Sequence, residues 1–235
     1  QGKAMTTKTV LITGAAGQLG QAVAVRFRQD GLRLILADRN EQALEQVFGE
    51  RDNEILLPVD LLKREQVASE IAWAQSRFGS IDVCCHIAGG FRMGEAVHTT
   101  SDATWHFLMD LNAKALLHVA AAVIPGMCQQ QRGSFVTVGA GAALKGGAHM
   151  GAYSASKSAL IRLTEAMSAE LKHQGINVNC VLPSIIDTPD NRAAMPDADP
   201  AQWVKPQALA EVIAFLTSDG ASAVHGAAIP VCGLV

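Results

Sequence analysis

Short apolar runs and stretches of helical spacing take turns along the whole chain. Residues 9–12, 32–37, 55–59, 81–87, 134–138, 176–182 and 227–231 are rich in Val, Ile and Leu, with little polar–apolar alternation. A strand that is apolar at nearly every position is covered on both faces, which is the condition of a parallel sheet. Between these runs apolar residues return at helical intervals, as at Leu19, Val23 and Phe27. The spacing predicts helices over 18–30, 41–48, 63–78, 102–129, 153–173 and 206–217. Together the elements predict an α/β fold, a doubly wound parallel sheet in a three-layer α/β/α sandwich and a single domain.

One region resists this reading. Residues 183–205 hold four prolines and several Asp and Asn, and no periodicity. A loop of that length in a compact domain is functional or disordered. This one follows a strand's C-terminal end, where ligands bind in such sheets, so it is the candidate substrate loop.

Composition narrows the function classes. The chain has 235 residues and a formal net charge of -3, without a run of Lys or Arg, so no nucleic-acid footprint is visible. The apolar stretch 113–127 is interrupted by Lys114 and His118 and expected to end at Pro125, so it reads as a buried helix and no membrane span is expected. The five cysteines, Cys84, Cys85, Cys128, Cys180 and Cys232, have no zinc-type or C-x-x-C spacing. They read as small buried apolar residues in a reducing compartment. Seven histidines without paired ligand spacing give no metal site. Gln1-Gly2-Lys3-Ala4, ahead of Met5, reads as an expression remnant; no signal peptide follows, so a cytoplasmic protein with its domain over 5–235 is expected.

The first strand runs into Thr13-Gly14-Ala15-Ala16-Gly17-Gln18-Leu19-Gly20. Glycines between a strand and a helix allow a tight turn and let a pyrophosphate approach the N–H groups of the helix start. This is the phosphate-binding turn of a Rossmann-like domain. Asp38 ends the second strand, where a carboxylate accepts hydrogen bonds from a ribose and repels a 2′-phosphate, which favours NAD(H). Arg39 beside it softens that preference, so NADP(H) is not excluded; Asp38 also has a plain reading as a helix cap. Asp60 ends the third strand and reads equally as an adenine contact or a cap.

Tyr153 and Lys157 lie four apart on a predicted helix, hence on one face. An ammonium near a phenol lowers the phenol pKa, and a phenol so tuned can give or take a proton at a substrate oxygen. With the glycine turn, Asp38, Asp60, Asn112, this pair and the Pro183–Thr188 segment, the chain resembles the short-chain dehydrogenase/reductase superfamily over almost its full length. The resemblance implies a nicotinamide cofactor held by Gly14, Gly17, Gln18, Leu19, Gly20, Asp38, Arg39, Asp60, Leu61, Ala88, Gly89, Pro183, Ile186 and Thr188. It implies Tyr153 as proton donor or acceptor, and Lys157 as the group that holds the nicotinamide ribose and depresses the tyrosine pKa. Asn112 would support a water relay to Lys157, and Thr188 would meet the carboxamide.

Three positions depart from the superfamily pattern. The middle glycine stands at 17 and not at 18; His86-Ile87-Ala88-Gly89 replaces N-N-A-G; and Ala140 occupies the position, thirteen before the tyrosine, of the usual catalytic serine. These departures resemble the dihydropteridine reductase branch, as does the Ala88-Gly89-Gly90-Phe91 segment and the loop from Asp187 to Trp203. Asn112 resembles ordinary carbonyl-reducing members instead. The expected pocket comprises Ala140, His149, Phe91, Met195 and Trp203. His149 reads as a pocket border or an exposed loop residue, and Trp203 and Met195 as an apolar lid or as packing anchors. The substrate is a small organic molecule. Small residues on helices 102–129 and 153–173 suit a homodimer or homotetramer, or buried packing within one chain. A second class, a non-catalytic NAD(H)-binding sensor, is motivated by Ala140 and the altered His86 segment.

Overall fold

The computed structural model describes residues 7–235; the 1–4 remnant lies outside the described residues. Seven strands form one all-parallel sheet: β1 (Thr9–Thr13), β2 (Arg33–Asp38), β3 (Glu54–Pro58), β4 (Val83–His86), β5 (Gly133–Val138), β6 (Ile176–Pro183) and β7 (Ala228–Val231). Their order is β3-β2-β1-β4-β5-β6-β7, so the winding reverses between β1 and β4. A crevice opens there at the strand C-termini, and in such sheets it is the ligand site.

The register shows why the strands are apolar throughout. Leu11 lies opposite both Ile35 and Cys84, and these side chains enter one core layer with Phe135 and Val178. Their neighbours Val10, Ile12, Leu34 and Cys85 point the other way into a second layer. The first layer is closed by α3 (Arg64–Phe78), α5 (Ala115–Gln130) and α6 (Gly151–Leu171) through Val67, Leu116 and Leu160. The second is closed by α1 (Gln18–Gln29), α2 (Glu41–Phe48) and α8 (Pro206–Leu216) through Val23, Leu44 and Ile213. Burying one such aliphatic side chain contributes roughly 1.5–3 kcal/mol.

The expected helix over 102–129 is continuous in path but not in register. It comprises α4 (Asp102–Met109), a π-helical turn over Asp110–Lys114, and α5. The π turn adds a residue at Asn112 and re-aims the side chains that follow. Pro125 does not end this helix. A mid-helix proline costs about 3 kcal/mol, but Val123 and Met127 on either side are fully buried and hold the helix on the sheet. By length and composition the 29-residue run is long and apolar enough to cross a membrane, against the sequence expectation. Here Leu116, Val119, Val123 and Met127 pack it into the core as the buried helix expected.

Two further expectations change. Cys84, Cys85 and Cys180 are buried and Cys128 partly so, but Cys232 is exposed because it follows β7 in the terminal turn. Segment 183–205 is not irregular. A bridge between Ile186 and Val204 pins its ends. Thr188 caps a short helix, α7 (Pro189–Ala194), by accepting from the Asn191 N–H, and Arg192 pairs with Asp187. Trp203 is 5% exposed, so it is a packing anchor and not a lid. Met195 is half-buried in the same strap.

Candidate active site

The glycine turn sits at the β1 side of the crevice. Gly14 has φ 66°, and a Cβ there would stand 2.8 Å from the Ala88 N; at Gly20 it would stand 2.2 Å from the Gly14 O. Side chains at either position would fill the cradle, so it admits backbone or ligand and nothing else. Gly17 and Gln18 are exposed at the start of α1, whose first turn carries no acid, while Leu19 is buried beneath it. Free N–H groups and the positive dipole end therefore face the crevice.

Asp38 supports this turn directly. Its Oδ2 accepts from the Ala16 N–H at 3.1 Å and its Oδ1 from the Asn40 N–H at 3.1 Å. The cap of α2 is Asn40, so the capping reading of Asp38 fails; Arg39 beside it is exposed. Asp60 does not cap α3 either: Oδ1 accepts from the Leu62 N–H, in the turn before the helix. The Leu61 side chain is buried and its carbonyl lies 2.7 Å from the His118 ring.

Across the crevice, Thr13 ties β1 to the segment after β4. Its Oγ1 accepts from the Ile87 and Ala88 N–H groups and lies 2.9 Å from His86 Nδ1. With both lone pairs engaged, the hydroxyl donates to Nδ1, which leaves the imidazole proton on Nε2. That atom is buried without a partner. Burial, with the nearby Lys157 charge, lowers the His86 pKa to about 3, so the ring is neutral.

Tyr153 and Lys157 occupy the first two turns of α6, one turn apart as expected. Lys157 is 5% exposed and its Nζ donates to the Val138 O at 2.9 Å. Burial lowers its pKa to about 8. Tyr153 is also desolvated, and its phenol is pushed up to about 12. The resemblance implied the opposite direction. The reason is geometric: the lysine amine is turned to the Val138 carbonyl, and burial dominates at the phenol.

Asn112 is locked beside them. Its Oδ1 accepts from the Gly90 N–H at 2.7 Å, and its Nδ2 donates to the Gly90 O and to Ser156 Oγ, both at 2.9 Å. Ser156 Oγ in turn donates to the Tyr153 O. No side-chain bond joins Asn112 to Lys157, but both converge under Gly89. A Cβ on that glycine would stand 3.0 Å from Asn112 Oδ1 and 3.1 Å from Lys157 Nζ. Gly90 is equally constrained, since a Cβ there would meet Phe107 and Leu111 below 3.0 Å.

The remaining expected residues divide. Phe91 meets Tyr153 edge-on, with ring centroids 4.9 Å apart. His149 lines a cavity of about 150 Å³ that Tyr153 also lines. Ala140 is buried at the end of β5 and offers no hydroxyl; with Met195 and Trp203, it lies outside that cavity's wall. Pro183 ends β6, Ile186 forms the strap bridge, and Thr188 caps α7. Sequence reasoning missed Ser156, Thr13 and the cavity residues Arg92 and Glu95. Arg92 stands three residues after Gly89, past the C-terminal end of β4, where the crevice rule points.

The short chain dehydrogenase family model matches residues 8–199. A 3-oxoacyl-[acyl-carrier-protein] reductase of Thermotoga maritima is 30% identical over 241 residues, with 96% of each chain covered. A solved structure of an NAD+-bound xylitol dehydrogenase is similar with a TM-score of 0.88 and 27% identity, over 98% of this chain and 100% of that one. A 3-ketoacyl-(acyl-carrier-protein) reductase from Brucella melitensis, complexed with NADH, gives 0.87 and 26% over 96% and 97%. The match takes in the sheet, the crevice and the tyrosine helix together, and the chain belongs to the short chain dehydrogenase family of oxidoreductases.

Proposed function

We propose that the chain reduces a small organic substrate with NADH, Tyr153 delivering the proton. The observation that carries this reading is the convergence of Tyr153, Lys157 and Asn112 beside a glycine cradle at the sheet's reversal point. The cradle, the free helix start and Asp38 fit a dinucleotide, and the nucleotide-bound relatives support the cofactor class. Asp38 supports NAD(H) over NADP(H), because a carboxylate there repels a 2′-phosphate.

The cofactor supplies a hydride to the substrate. The chain's residues do the rest. A phenol with its pKa near 12 is protonated at neutral pH, so Tyr153 is set to donate to the substrate's oxygen or nitrogen. The Lys157 ammonium, one turn away, favours the phenolate left behind. Ser156 and Asn112 fix the first turn of α6 and hold Gly90 back from the crevice. Exposed Trp105 and Leu117 on α4 and α5 support a homo-oligomer, which sedimentation would reveal.

Ala140 favours a second, narrower reading. With only a methyl group at that position, an electron-poor ring such as a quinonoid dihydropterin, as for dihydropteridine reductases, needs less help than a simple ketone. The main reading is tested by steady-state NADH oxidation over a panel of carbonyl compounds and quinonoid dihydropterin. Tyr153→Phe is expected to lower kcat by at least about a hundredfold, with NADH affinity retained. A variant as active as the parent refutes the role of Tyr153. Good turnover of a ketone with none of the pterin refutes the narrower reading.

A further inference from the structure

The wall of the cavity beside Tyr153 carries a cation that forms no ion pair among the described residues. Arg92 lies on its wall, with the guanidinium stacked on the Phe107 ring, 3.7 Å from the centroid. Stacking of this kind uses the flat face and leaves the in-plane N–H donors free. Among the described residues, no carboxylate lies within ion-pair distance of it.

Glu95 is the acid on the same wall, and its oxygens are already taken. Oε1 accepts from Ser101 Oγ at 3.0 Å and Thr104 Oγ1 at 3.1 Å, and Oε2 accepts from the Ser101 N–H at 3.0 Å. These bonds hold its carboxyl below the usual carboxylate range, with Arg92 adding to the effect. Glu95 thus braces the loop that presents Arg92. A second brace ties that loop to the segment just before the tyrosine helix: the Gly94 N–H donates to the His149 O at 2.8 Å. His149 is held with φ 60°, a left-handed conformation that persists for a non-glycine residue where its surroundings impose it. His149 lines the same cavity as Arg92 and Tyr153.

We propose that this cavity is the recognition site for an anionic group on the substrate, a carboxylate or a phosphate, with Arg92 as its main partner and His149 as a second donor. The planar guanidinium fork matches either anion in bidentate geometry. At about 150 Å³ the cavity holds a fragment and not a whole ligand, since sites that enclose a drug-sized molecule span about 300–1,000 Å³. The anionic end therefore lies in the cavity while the reducible atom lies at Tyr153. That the bound molecule is a substrate rests on the hydride-transfer reading above; the anion site itself does not.

Calorimetry on the protein saturated with NADH tests this with two matched pairs: acetoacetate against its methyl ester, and dihydroxyacetone phosphate against dihydroxyacetone. At least one anion is expected to bind about tenfold or more tightly than its neutral partner, and the responding pair identifies carboxylate or phosphate. In Arg92→Gln that ratio falls toward one; Arg92→Lys, which keeps charge without the fork, retains part of it. Ratios near one in the parent, no binding by either anion, or a ratio unchanged in Arg92→Gln would overturn the proposal. NADH absorbance is followed in parallel. An Arg92-dependent ratio without any hydride transfer sinks the proposed function and leaves the site standing; hydride transfer without the ratio does the reverse.

Discussion

Burial of Lys157 predicts an alkaline rise in stability that its replacement by methionine removes. The amine's ordinary value of 10.5 falls to about 8 because the folded chain takes it out of water. Each pH unit of displacement is worth about 1.4 kcal/mol, so the full effect is roughly 3 kcal/mol. The group is 5% exposed, so solvent screening removes little of this. Below pH 8 the lysine is charged in both states and the folded state bears the whole burial cost. Between pH 8 and 10.5 the folded amine is neutral while the unfolded chain still holds its proton. Unfolding then takes up a proton, and stability rises with pH through that window.

Lys157→Met keeps the length and abolishes the titration. It also leaves the Val138 carbonyl unpaired, at about 1–3 kcal/mol, but that loss does not change with pH. The neighbouring groups do not imitate the signal. His86 is neutral throughout this range, and burial raises the Cys180 thiol above its ordinary value. Tyr153 is common to both chains and cancels to first order. Urea unfolding of parent and variant at several pH values from 7 to 10.5, at one protein concentration, gives the difference curve. The parent is expected to gain roughly 3 kcal/mol on the variant, most of it above pH 8. A difference flat to within about 0.5 kcal/mol would refute the argument, since such a shift cannot be hidden in linkage.

Gly20→Ala places a Cβ 2.2 Å from the Gly14 O and 2.7 Å from two Ala15 backbone atoms, so the turn itself must move. It is expected to lose NADH binding in titration and about 1–3 kcal/mol in thermal unfolding, the usual cost of overpacking; a variant that binds NADH normally would show that the turn is not the cradle. Ala140→Ser restores a hydroxyl at the end of β5. If a substrate oxygen lies near it, kcat on a simple ketone is expected to rise about tenfold or more, part of the 10²–10³ typical of an oxyanion donor. No gain would mean that a hydroxyl at this position does not meet the substrate oxygen or that another donor already serves.

Strands and helices were legible because their burial is two-sided and periodic. Leu11 and Val10 enter opposite layers, so neither position tolerates a polar residue, and the run betrays itself. The π turn at Asn112 was not legible, because one added residue changes register without changing composition. The helix was legible through Pro125 all the same: local propensity marks a helix end there, but the apolar spacing continues, and the burial of Val123 and Met127 overrides the proline. The cavity beside Tyr153 was out of reach, since its walls come from the Arg92–Thr104 region and from His149–Tyr153, which only the fold brings together.

The protonation of the site shows the same limit at a finer scale. Spacing alone places Lys157 on the tyrosine's face of α6 and implies a lowered phenol pKa. The fold turns the ammonium toward Val138 and buries the phenol, so the inference from spacing has the wrong sign here. A neutral phenol is the right form for delivering a proton, and an amine whose pKa is near 8 sits close to losing its own. The reduction direction should therefore hold its rate from pH 6 to 7 and lose it above about 8, as Lys157 ceases to favour the phenolate that proton delivery leaves behind. Measured kcat/KM that instead rises above pH 8 would place the essential group elsewhere, and Tyr153 would then act as a positioned phenol without help from the lysine charge.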